Sequence, residues 1–213
     1  MIPQLSSRLK FPHPSLAIAD GLLAYGGDLS VERLLLAYHS GIFPWYSEED
    51  PILWWSPDPR MVLFPEELKV SKSMKQLIKK EAFQVTVNHD FEAVIEACSM
   101  VKREGQQGTW ITSAMKKAYT ELHEKGHAYS VEVWQNQEMV GGLYGIWLKE
   151  KQVFCGESMF SKVSNASKYG FIYWVKKLQS EGVQLIDCQV YTQHLERLGA
   201  REISREAFLS FLN

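Results

Sequence analysis

The chain has 213 residues, room for one full-sized domain with a smaller partner at roughly 100–200 residues per domain. With 46% hydrophobic and 23% charged residues, it has enough apolar side chains to exclude a disordered or low-complexity chain. Its 23 basic and 25 acidic side chains leave a formal charge of −2, which excludes a globally basic nucleic-acid binder but not a local basic face.

From the N-terminus, MIPQLSSRLKFPHPS has no uninterrupted apolar stretch, so neither a signal peptide nor a membrane span is expected and the protein reads as cytoplasmic. Ser30 is placed to cap a helix over residues 31–39, with Leu34, Leu35 and Tyr38 on its apolar side and Gly41 ending it. Residues 42–60 (IFPWYSEEDPILWWSPDPR) contain four prolines and three of the seven tryptophans. That stretch is too proline-punctuated for a helix and too apolar for a solvated linker, and it reads as an ordered, packed loop.

Regular periodicity then returns. A strand is expected near 61–64, helices over 72–81 and 91–100 with a strand 83–88 between them, and a helix over 113–125. YSVEVWQ, MVGGLYGIWL and QVFCGESMF read as an antiparallel meander, followed by a helix over 166–180, a strand over 183–191, a short helix near Leu195 and a last helix over 204–212. Helices interleaved with a mostly antiparallel sheet, plus one late β-α-β crossover, indicate an α+β, mixed-sheet protein.

Several clusters could carry chemistry. Asp187 and Gln189 lie two apart in LIDCQV, so alternation sets both on one sheet face and Cys188 on the other. If that face is buried the pair must be hydrogen-bonded or used; otherwise it is a strand end touching solvent. Glu157, among apolar neighbours, could receive a cationic substrate group or form a structural salt bridge. Lys72, Lys75 and Lys79 form a helical basic stripe, with Lys80 beside it, suited to phosphates or simply to solvent. The glycines of GGLYG lie inside a strand, which indicates a bulge or close backbone approach rather than a phosphate loop. His194 follows the Asp–Gln strand and reads as a cap or packing residue. Cys98, Cys155 and Cys188 make no CxxC pair and the histidines show no metal-ligand spacing, so free thiols and no metal are expected.

Six segments in order, GGDLSVERLLLAYHSGIFPWYSEEDPILWWSPDPRMVLFPEEL, GQQGTWIT, VGGLYG, FCGESMFSKVSNASK, LIDCQV and HLERLGAREISR, together resemble the leucyl/phenylalanyl-tRNA–protein transferase family from about Gly21 to the C-terminus. The resemblance implies an enzyme that moves Leu, Phe or Met from aminoacyl-tRNA to the α-amino group of proteins beginning with Arg or Lys, marking them for N-end-rule degradation. It also implies a monomer with a small N-terminal domain, here 1–59, and an acetyltransferase-like (GNAT-like) domain, 60–213, without CoA. The segment SKVSNAS stands where an acetyltransferase would carry its pyrophosphate loop, and that loop is missing.

An aminoacyl ester is already activated, so the reaction requires no cofactor, only positioning and the management of one proton. By resemblance, Trp45, Trp110 and Tyr119 bracket the terminal adenosine, and Leu143, Met159, Phe171, Trp174, Leu178 and Ile186 form the amino-acid pocket. Asp187 and Gln189 match the family's catalytic pair, Gln189 orienting the amine or ester because a neutral amide is a poor proton acceptor and Asp187 holding groups electrostatically, with proton transfer through the adenosine 2′-hydroxyl as the rival route. Glu157 receives the cationic acceptor, and Lys72, Lys75, Lys79 and Lys80 are candidates for tRNA phosphates. Trp54 and Trp55 are assigned to the inter-domain loop, leaving Trp134 and Trp147 as core. A CoA-dependent N-acyltransferase, and a noncatalytic module holding tRNA or peptide ends, are the alternatives.

Overall fold

The computed structural model describes residues 2–101 and 109–213; residues 105–108 of the GQQGTWIT segment lie outside the described residues. In the first sixty residues, β1 (Gln4–Leu5), β2 (Leu22–Gly26), α1 (Val31–His39), β3 (Phe43–Pro44) and β4 (Leu53–Trp55) build a small unit. Its sheet has the order β1-β2-β4-β3.

The helix expected over 31–39 is present, but Ser30 does not cap it. Its hydroxyl donates instead to Asp28 Oδ1 at 2.5 Å, and Asp28 also holds the buried Arg33. Gly41 ends the helix with φ of 72°, a backbone conformation that favours glycine, and a Cβ there would press on Leu209 Cδ2 at 2.5 Å. The stretch 42–60, expected as a loop, contains β3 and β4, paired Phe43 to Trp55 and Pro44 to Trp54. Strands of two and three residues between prolines are too short to show a period.

The remainder contains β5 (Arg60–Leu63), α2 (Lys72–Lys79), β6 (Gln84–Val87), α3 (Phe91–Ser99), α4 (Ser113–Glu124), β7 (Ala128–Gln135) and β8 (Glu138–Leu148). There follow β9 (Val153–Ser161), α5 (Ala166–Ser180), β10 (Leu185–Gln189), α6 (Gln193–Glu196), β11 (Arg201–Ile203) and α7 (Arg205–Ser210). Local chemistry sets the helix starts: Ser71, Asp90, Thr112 and Ser204 each accept a backbone N–H three residues on.

The larger sheet runs β11-β5-β10-β9-β8-β7-β6 and is antiparallel except where β9 and β10, joined through α5, lie parallel. The meander and the single crossover are as expected, and the protein is of the α+β, mixed-sheet class. The edge strand β11 had no sequence signal, being only three residues long.

Two apolar layers cover the sheet. On one face α5 packs over Leu143, Phe154 and Ile186. On the other, Tyr144, Cys155 and Leu185 join one continuous core with α3, α4 and the small unit, including Tyr38, Phe43 and Trp54. Tryptophan burial departs from the sequence reading. Trp54 and Trp174 are the fully buried ones, while Trp134 and Trp147 are half-buried. Trp54 sits in β4 and donates Nε1–H to the Gly26 carbonyl at 2.9 Å.

Candidate active site

The site grows from an interruption in the sheet. Strands β9 and β10 pair at Leu185–Val153, Ile186–Phe154 and Asp187–Cys155, and no further. Just beyond, Glu157 is an extra residue of β9 against β8, and Cys188 an extra residue of β10 against β5. Adjacent bulges of this kind re-aim side chains. Gly145 makes room for the first, since a Cβ there would lie 2.2 Å from the Cys155 carbonyl oxygen.

A cavity of about 370 Å³ opens at this point. Leu143, Phe154, Met159, Phe171 and Ile186 give it an apolar wall, and Phe43, Trp45 and Trp110 an aromatic one; Glu157, Ser158, Gln189, Thr192 and His194 are among its polar members. Trp45, 38% exposed, marks the rim. A mainly apolar hollow with a few convergent polar groups is the usual form of a small-ligand site.

Glu157 is 9% exposed and held from two sides. Tyr119 donates its hydroxyl to Oε2 at 3.1 Å, and Gln189 donates Nε2–H to Oε1 at 2.9 Å. Tyr38 is in turn hydrogen-bonded to the Tyr119 hydroxyl. Burial pushes the Glu157 carboxyl up to about 7, against the pull of the hydroxyls of Tyr38 and Tyr119 and the amide of Gln189, while the nearby charge of Asp187 adds to the rise. Burial likewise raises both phenols well above their ordinary value, so they stay protonated donors at neutral pH.

Asp187 faces away from this cavity. Its carboxylate takes two bonds from Arg60, Nε to Oδ1 at 2.8 Å and Nη2 to Oδ2 at 2.7 Å, and each partner is only 1% exposed. The guanidinium also donates to the Gly41 carbonyl at 3.2 Å and is sandwiched between the rings of Phe43 and Phe208. Asp187 Oδ1 additionally accepts the Gln189 backbone N–H at 2.9 Å. The expected alternation therefore fails here: Cys188 and Gln189 both line the cavity and Asp187 does not. The bulge, together with φ of 65° at Gln189, breaks the two-residue period.

Of the residues singled out in the sequence, Trp45, Trp110, Leu143, Glu157, Met159, Phe171, Ile186 and Gln189 meet around the cavity. Tyr119 is fully buried behind Glu157 and presents no ring face to a base. Trp174 and Leu178 share the buried face of α5 with Phe171 but stop short of the cavity, Trp174 packing on Phe154 at 5.6 Å. Lys72, Lys75, Lys79 and Lys80 are exposed on and beside α2 and line no part of the cavity. His194 does reach the cavity wall, its Nε2 buried without a hydrogen-bond partner among the described residues, and burial lowers its pKa toward the neutral form.

Sequence reasoning missed Arg60 and Tyr38. For Arg60 there was a signal: an arginine opening the apolar run RMVLF must find a partner if that strand is internal. Tyr38 had none beyond its place on an apolar helix face. Among the described residues no group of three or more His, Cys, Asp or Glu is placed to hold a metal ion, and no helix is long and apolar enough to cross a membrane.

Comparison with known proteins decides the family. The sequence model of the leucyl/phenylalanyl-tRNA protein transferase matches residues 62–213, and that of its N-terminal domain residues 27–58. A leucyl/phenylalanyl-tRNA–protein transferase of Christiangramia forsetii is 64% identical over 95% of this chain and 96% of its own length, and that of Flavobacterium johnsoniae 60% identical over 96% and 95%. The chain belongs to the leucyl/phenylalanyl-tRNA–protein transferase family. It is thus an enzyme of the aminoacyl-tRNA–protein transferase type, and the cavity lies inside the segment matched by the larger family model, completed by Phe43 and Trp45 from the smaller one. Solved structures are more distant. A putative lysylphosphatidylglycerol synthetase domain from Agrobacterium fabrum is 8% identical with a TM-score of 0.45 over 83% of this chain and 56% of its own. A GCN5-related N-acetyltransferase from Kribbella flavida is 10% identical with a TM-score of 0.39 over 80% and 60%. The assignment rests on the family matches alone.

Proposed function

We propose that the protein, as a cytoplasmic monomer, transfers Leu, Phe or Met from the 3′ end of an aminoacyl-tRNA to the α-amino group of proteins beginning with Arg or Lys, so marking them for N-end-rule degradation. The observation that supports this most is the cavity itself, where one apolar wall and one aromatic wall meet at Glu157 and Gln189. In this reading Trp45 and Trp110 stack the terminal adenosine, a contact of about 1–3 kcal/mol per base. Leu143, Met159, Phe171 and Ile186 enclose the amino-acid side chain, with Trp174 and Leu178 as the rigid packing behind them. Such a wall selects by shape and admits chains unbranched at Cβ.

The chemistry is an attack of the acceptor amine on the ester carbonyl. A C–N bond forms, the C–O bond to the ribose breaks, and one proton passes from nitrogen to the departing oxygen. Gln189 orients the reactants. Glu157 meets the incoming cationic amine, and a carboxyl near 7 is matched to taking up the proton the ammonium must lose. Asp187, clamped by Arg60, fixes the backbone of Gln189 rather than touching substrate. Lys72, Lys75, Lys79 and Lys80 contribute attraction for the tRNA backbone.

We also read the chain as two units divided near residue 60, the larger one acetyltransferase-like. The parallel β9–β10 pair that parts after one crossover supports that fold, and the glycine-free link from β9 to α5 fits the absence of CoA. The test is transfer of labelled leucine from Leu-tRNA to a peptide beginning with Arg. Incorporation is expected; failure with Leu, Phe and Met alike overturns the reading.

A further inference from the structure

The small unit touches the chemistry at a point the reaction scheme above leaves unused. Tyr38 sits at the end of α1, 1% exposed, with its hydroxyl on that of Tyr119, itself fully buried. Neither ring lines the cavity, so neither hydroxyl has a substrate to serve. Tyr119 donates to Glu157, which leaves Tyr38 as donor to Tyr119. The chain then has one direction, Tyr38 to Tyr119 to Glu157, and such chains strengthen each member bond by polarisation.

We propose that Tyr38 is a positioning residue for the transfer site: by ordering the hydrogen bonds of Tyr119 it keeps Glu157 ionised and so fixes the orientation of the Gln189 amide. The inference rests on the proposed reading of the site. An ionised Glu157 accepts Gln189 Nε2–H, which leaves the amide oxygen of Gln189 to face the cavity as an acceptor for the incoming N–H groups. A Glu157 that is already protonated when the acceptor arrives cannot take up the ammonium's proton and must itself donate, either to the Tyr119 hydroxyl, with reversal of that chain, or to the Gln189 amide oxygen, whose amide would then turn its N–H donors to where an amine needs an acceptor. Every group facing this carboxyl bears on the balance. Tyr38 from α1, Tyr119 from α4 and Gln189 from β10 favour the charged form; Asp187 from β10 opposes it. Cys155 from β9 is held neutral, its thiol pushed up by burial, and Arg60 from β5 is committed to Asp187. Tyr144 from β8 packs edge-on against the Tyr119 ring at 5.7 Å. Without the Tyr38 hydroxyl the balance moves toward the protonated acid.

The experiment replaces only that hydroxyl. In Tyr38→Phe, the midpoint of Glu157 titration, followed by 13C NMR of glutamate-labelled protein and assigned by its loss in Glu157→Gln, is expected to rise by about 0.5 to 1 pH unit, the weight of one buried hydrogen bond. Tyr119→Phe, which removes the other hydroxyl of the chain, should move it in the same direction. Leucyl transfer to an Arg-starting peptide should lose rate mainly below pH 7.5 and regain it toward wild type above pH 8. An unmoved midpoint, or a rate lowered by the same factor at every pH, overturns the proposal. If the wild type transfers no leucine the assigned reaction fails, and the NMR midpoint still judges the link from Tyr38 to Glu157.

Discussion

Arg60 and Asp187, 127 positions apart in sequence, clasp each other through two buried hydrogen bonds of 2.8 and 2.7 Å. The pair joins the first strand of the larger sheet to the strand that carries Gln189. A buried ion pair is costly to break from one side, because the survivor keeps its charge without a partner.

Asp187→Ala should therefore lose about 3–5 kcal/mol of stability as well as leucyl transfer. Arg60→Ala should do the same although it does not itself line the cavity, and the double variant should be less destabilised than the two single losses added. Urea unfolding midpoints check this. Additive losses would mean that the two side chains act independently.

Glu157 gives stability a pH dependence of known sign. Its carboxyl is raised from 4.5 to about 7 on folding, so the folded state binds the extra proton. Stability from this group is fully present below pH 4.5, declines as pH rises, and is lost above 7. Glu157→Gln should match wild type near pH 4.5 and exceed it at pH 8 by up to about 3 kcal/mol, the interval between the two values. Denaturation at the two pH values reads it directly.

Trp45→Ala removes the exposed member of the aromatic wall. The KM for Leu-tRNA should rise roughly 5- to 150-fold, the weight of one base stack. Trp134→Phe, distant from the cavity lining, should leave it within about twofold. Equal effects of the two changes would remove the nucleoside from this wall.

Phe171→Leu shortens the apolar wall where the amino-acid side chain would end. The kcat/KM ratio of Phe over Leu should increase roughly tenfold, the scale of a small change in pocket volume. An unchanged ratio would place the transferred side chain elsewhere.

Changing Lys72, Lys75 and Lys79 together to Gln should weaken tRNA binding most at low salt. The slope of log affinity against log salt should flatten by about one for each phosphate that a lysine had neutralised. An unaltered slope would mark the stripe as solvated surface.

Long periodic elements were legible in the sequence: the helix Ala166–Ser180 and the three-strand meander stand where periodicity put them. The one cap read from the sequence, Ser30, failed because its hydroxyl is taken by Asp28 two residues before it. Strands β3, β4 and β11 were not, because two or three residues carry no period. At the site, residue types were readable but their directions were not. The rule that put Asp187 and Gln189 on one face assumes an unbroken strand, and a single bulge reverses its outcome. Arg60 and Tyr38 were missed for a different reason: their partners lie 127 and 81 positions away, beyond any local pattern.

Phe43 and Trp45 stand on one side of the Arg60 strand and Phe171 and Gln189 far along the other, yet all four border the same hollow. A chimera that grafts the first sixty residues of one relative onto the remainder of another would take Phe43 and Trp45 of the aromatic wall from one parent and Trp110 with the apolar wall from the other. Its fitness as a catalyst would then measure how tightly the two parts have been tailored to each other, and the Tyr38–Tyr119 contact would be the seam at which a mismatch first registers.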